Sequence, residues 1–129
     1  MLGELDIRRI RDGLADVNEP LTLVLHAGRE PSGLGDQLAA VAEEIMDAGG
    51  DIIDVKQGDG AGLPATPALS LAWRGKSNIH YLAVPEGPEN LPFLEALVGM
   101  PRGAVGIRGE WVRRLARLRR DAGLMVFMA

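Results

Sequence analysis

Residues 66–98 constrain the fold most, because they read as an ordered series: loop, proline, strand, tight turn, strand, glycine, helix. Thr66-Pro67 closes a Gly-rich loop and opens the apolar run Ala68-Leu69-Ser70-Leu71-Ala72-Trp73. Arg74-Gly75-Lys76-Ser77-Asn78 carries turn chemistry, since Gly and Asn tolerate positive φ. Ile79-His80-Tyr81-Leu82-Ala83-Val84 then returns as a hairpin partner. Pro85-Glu86-Gly87-Pro88 breaks that strand, and Leu91, Leu94, Leu97 and Val98 follow at helical spacing, which predicts a helix near 89–98.

Upstream, the apolar stripe Ile7, Ile10, Leu14 and Val17 predicts an amphipathic helix over 3–17, ended by Asn18-Glu19-Pro20. Leu21 to His26 is short and apolar enough for a strand buried on both faces. A helix is expected from about Leu34 to Ala48, with Leu38, Val41, Ala42 and Ile45 inward and a stop at Gly49-Gly50. Asp51 to Val55 is the second strand. Strand, helix and strand with short joints make a right-handed βαβ unit. With the hairpin 68–84 this gives an α/β fold: a four-stranded mixed sheet flanked by helices. Residues 99–106 read as a linker. Residues 108–122 read as a helix whose stripe, Trp111, Leu115, Leu118 and Ala122, is expected to pack on the body. Leu124 to Met128 reads as one more strand, which must pair with something.

The chain holds no cysteine, so it offers no disulfide, no thiolate nucleophile and no Cys-ligated metal or cluster. Thiol–disulfide exchange needs an attacking thiolate, and this chain supplies none. The net charge of −4 hides an asymmetry. Residues 1–99 hold 7 basic and 16 acidic side chains, a balance of −9; residues 100–129 hold 7 and 2, a balance of +5. A basic tail on an acidic body points to an intramolecular contact or an acidic partner. No apolar run approaches the roughly 20 residues of a membrane helix. The acidic start Met1-Leu2-Gly3-Glu4-Leu5-Asp6 does not read as a signal peptide, so the cytoplasm is the expected compartment.

The order and spacing of these elements resemble the N-terminal fold of the flavoprotein subunit of alkyl hydroperoxide reductase, and the related glutaredoxin-like protein disulfide oxidoreductases. The resemblance rests on the leading helix, the strand 21–26, the acidic helix ending in Glu43-Glu44-Ile45, and the Pro67-Ala68-Leu69 opening of the hairpin. It continues through Val84-Pro85-Glu86-Gly87, and the linker and Arg-rich helix match that family's joint between two tandem thioredoxin folds. It implies a thioredoxin-like domain over 1–99 that lacks Cys-x-x-Cys. Residues 100–129 would then be a linker, an Arg-rich helix and a strand that begins a second fold. The function so implied is that of a redox-inactive half that docks and positions a Cys-x-x-Cys-bearing thioredoxin domain. No catalytic residue is carried over. The alternative is a free-standing protein- or peptide-binding module that uses the groove beside Pro67.

Thr66, Pro67, Arg29 and Trp111 are therefore the candidate partner-binding residues. The resemblance implies a cis bond before Pro67, with the backbone beside it accepting an extended peptide. Residues 27–33 stand where redox relatives hold their cysteines; there Arg29 adds positive charge and Ser32 or Gly33 is expected to cap the next helix. Ser32 with His26 as its base is the weaker, enzymatic reading. Gly58-Asp59-Gly60-Ala61-Gly62 leads into Leu63-Pro64 and a strand. A phosphate loop needs a helix there. His26 and His80 lack ligand spacing, so no metal and no cofactor is expected; His80 is expected to be satisfied and partly buried. The arginines of the last helix lack the exposed aromatics of a nucleic-acid surface. The partners expected are a thioredoxin-fold domain and a second copy of the chain.

Overall fold

The computed structural model describes residues 2–28, 33–103, 109–120, 122, 123 and 125. Helix α1 spans Glu4–Leu14, β1 Leu21–His26, α2 Leu34–Gly49, β2 Ile53–Gly58, β3 Ala68–Trp73, β4 Lys76–Tyr81, α3 Asn90–Gly99 and α4 Gly109–Ala116. The four strands form one mixed sheet in the order β2-β1-β3-β4. β1 and β2 are parallel; β3 runs antiparallel to both β1 and β4. The α/β architecture expected from the sequence is thus present, and its βαβ unit joins a β-hairpin.

Strand alternation divides the sheet into two unlike faces. Leu21, Leu23 and Leu25 of β1 align with Ile53, Val55 and Gln57 of β2, and Leu23 and Leu25 with Leu71 and Leu69 of β3. This face carries the core: Ile10 and Leu14 from α1, Leu38, Ala42 and Ile45 from α2, and Phe93, Leu94 and Leu97 from α3 all bury against it. Fully burying one such side chain stabilises by about 1.5–3 kcal/mol. Gly13 lets α1 and α3 approach closely, since a Cβ there would stand 2.8 Å from Val98 Cβ. Tyr81 meets Phe93 edge-on, with ring centroids 4.8 Å apart, and burial raises its hydroxyl pKa above the ordinary tyrosine value.

Several boundaries differ from the sequence reading. β2 begins at Ile53, because residues 50–52 form a 3-10 turn that opens with Gly50, whose φ is +66°. The hairpin turn is only Arg74-Gly75, both at positive φ, which is the two-residue geometry that matches strand twist. β4 therefore starts at Lys76 rather than Ile79 and ends at Tyr81 rather than Val84. α4 is shorter than expected, and its stripe does not pack on the body: Trp111, Leu115 and Leu118 are 49%, 55% and 58% exposed. The strand expected over 124–128 lies outside the described residues, except that Met125 is exposed and in no regular element.

Candidate functional site: an uncovered sheet face

The second sheet face has no helix on it among the described residues, so β1 is not buried on both faces as expected: Thr22, Val24 and His26 are only part-buried. Its floor is three cross-strand rows. Asp54, Thr22 and Ala72 make the first; Lys56, Val24, Ser70 and His80 the second; Gly58, His26 and Ala68 the third. The cause lies in the β2–β3 connection, residues 59–67. Gly60 and Gly62 at positive φ, Pro64 and Pro67 leave no segment there able to form a covering helix. Small side chains on β3 keep the floor flat.

One buried hydroxyl ties this face together. Ser70 is fully buried and lies between His80, its partner across the hairpin, and His26, 44 positions away in sequence. The Gly60 N–H donates to His26 Nδ1 at 2.9 Å, which makes that nitrogen an acceptor. His26 Nε2–H is then the donor to Ser70 Oγ, 3.1 Å away, and the Ser70 hydroxyl donates to His80 Nδ1 at 2.6 Å. The chain runs one way, from the Gly60 backbone through His26 and Ser70 to His80. His80 is satisfied, as expected, but exposed rather than partly buried. Its pKa is held below the ordinary value, first by desolvation and then by the neighbouring His26. A second proton on His80 Nδ1 would also displace the Ser70 donor.

At the third row the face runs into the Thr66-Pro67 corner. The Thr66–Pro67 peptide bond is cis, Pro67 is buried and Thr66 is exposed. Gly28 lies so near that a Cβ would stand 2.5 Å from Pro67 N and 2.7 Å from the Thr66 carbonyl carbon. A Cβ on Gly35, at the start of α2, would stand 3.8 Å from Pro67 Cβ. The corner thus joins β1, α2 and β3.

Three of the four sequence candidates, Thr66, Pro67 and Trp111, fall within the described residues. Thr66 and Pro67 sit together at the corner. Trp111 lies on exposed α4, with the Arg114 guanidinium 4.9 Å from its ring centroid. Arg29 and Ser32 lie outside the described residues. The sequence reading missed Ser70; alternation along Ala68-Leu69-Ser70 with the hairpin register was the signal that pairs it with His80.

The Ser70 hydroxyl, hydrogen-bonded to both histidines, is fully buried and so unavailable to a substrate. No group of three or more potential metal ligands occurs among the described residues. None of the described helices is long and apolar enough to cross a membrane. No protein-family model matches the chain, and no curated protein matches it.

Proposed function

We propose that this chain is a redox-inactive, thioredoxin-like scaffold half, which docks a Cys-x-x-Cys-bearing thioredoxin domain and positions it for disulfide or electron transfer. The reading is carried by the uncovered sheet face beside the Thr66-Pro67 corner. A sheet buried on one side only lacks a layer, and a second domain supplies it. The strand order and the absence of cysteine agree with a thioredoxin-like fold that has no sulfur chemistry of its own. Trp111 would add a rim contact.

Calorimetric titration of the full chain with a purified thioredoxin that has an intact Cys-x-x-Cys pair tests this. Saturable binding is expected, lost in Val24→Arg at the centre of the face. Absence of binding at every concentration would overturn the proposal.

The exposure of Thr66 beside buried Pro67 also favours a second reading, in which the corner accepts an extended peptide through backbone hydrogen bonds. The two readings separate by position. Thr66→Arg would abolish peptide capture and spare domain docking, whereas Val24→Arg would do the reverse.

A further inference from the structure

Two uncovered surfaces occur on the same chain, and they fit each other. One is the sheet face; the other is the stripe Trp111, Leu115 and Leu118, with Trp111 and Leu115 on α4 and Leu118 one turn further on. We infer that they meet in a dimer, in which residues 109–120 of each copy lie across the open sheet face of the other.

Size, shape and charge each support this occupant. An eight-residue helix is about 12 Å long, and the three steps between β2 and β4 span about 14 Å. Thr22, Val24 and Ala72 are part-exposed and not bulky, so a tryptophan and two leucines can settle over them. The segment 109–120 carries five arginines against Glu110, while residues 1–99 have a balance of −9. Locally, Asp54 stands on the first row, and Asp47, Asp51 and Asp54 line a recess along the β2 side. Arginines flanking the stripe would reach these carboxylates, while Lys56, paired to Asp54 at 3.8 Å and well exposed, can swing aside.

A second copy is favoured over the chain's own helix because α4's described side chains are all exposed within one molecule. Reciprocal exchange also covers both surfaces on both copies with a single type of contact, and it closes at two. The inference does not depend on the thioredoxin reading. A docked thioredoxin would compete for the same face.

Sedimentation velocity of the full chain across a range of concentrations, at low and high salt, tests it. The expected result is a concentration-dependent species of twice the chain mass that weakens as salt rises. Trp111→Glu with Leu115→Glu should be monomeric, with association weakened by at least about tenfold. Circular dichroism should be unchanged, since both side chains are exposed. Val24→Arg should also be monomeric; His80→Glu, at an exposed position, serves if Val24→Arg fails to fold. Mixing the α4 variant with the face variant should restore a dimer held by the one intact contact. A monomeric wild type, a dimer that survives the α4 substitutions, or a mixture that stays monomeric would each overturn the proposal. Thioredoxin titration is a separate readout, so either idea can fail alone.

Discussion

At Ser70 a single oxygen links two histidines. Ser70→Ala removes an oxygen that accepts from His26 and donates to His80. Because His80 can turn to water, the expected cost is modest, about 1 kcal/mol, read from urea unfolding. The histidine chemistry has a definite sign. His80 prefers the neutral form in the folded protein, so the unfolded chain binds the extra proton first. Its contribution to stability is therefore complete above 6.5 and lost as pH falls through 6.5 toward the lower folded value. In His26→Gln, an NMR titration of His80 should show its midpoint moving part of the way up. An unmoved midpoint would remove His26 as a cause. Gly28 makes a second residue-scale case. Gly28→Ala sets a methyl against the backbone of Thr66 and Pro67, which cannot yield as a flexible side chain would. A loss of about 1–3 kcal/mol is expected, measured as a lower Tm. Neither residue stood out in the sequence. Ser70 lies 44 positions from His26, and only the folded register brings them together.

At the scale of elements, alternation and helical spacing were legible for every strand and for α1, α2 and α3. The ends were less so, for local reasons. Lys76-Ser77-Asn78 reads as turn because it is polar, yet a two-residue turn at Arg74-Gly75 lets pairing resume at once, with Trp73 opposite Lys76. That turn depends on Gly75, whose φ is +77°. Gly75→Val should destabilise by at least about 1–2 kcal/mol, since a β-branched residue resists the left-handed region. Denaturant midpoints would show it, and an unchanged midpoint would mean the turn can rearrange. α4 ends at Ala116 although its stripe continues. Arg113 and Arg117, and Arg117 and Arg120, are like charges at helical spacing, and a short helix without tertiary packing is marginal in water.

For the whole molecule, amphipathicity shows that an element needs a partner without saying which one. The same spacing that fits buried Leu94 and Leu97 of α3 also took in Leu91, which is exposed, and assigned Trp111 and Leu115 to the body, where they are exposed. The open sheet face was equally hidden, because it follows from what the connection 59–67 cannot form rather than from any motif. This distinction makes a thermodynamic prediction. Leu97→Ala cuts the core and should cost about 2–5 kcal/mol at any protein concentration. Trp111→Ala with Leu115→Ala removes nothing from the folded monomer, so in dilute solution its Tm should equal that of the wild type. If α4 covers a second copy, association stabilises the native state by mass action, and the wild-type Tm should climb as the chain is concentrated. The double variant should show no such climb. A calorimetric scan at several concentrations therefore separates the two roles: a core residue lowers the whole curve, whereas an interface residue removes only its dependence on concentration. Equal loss of Tm in the double variant at every dilution would instead place α4 in the monomer's own core.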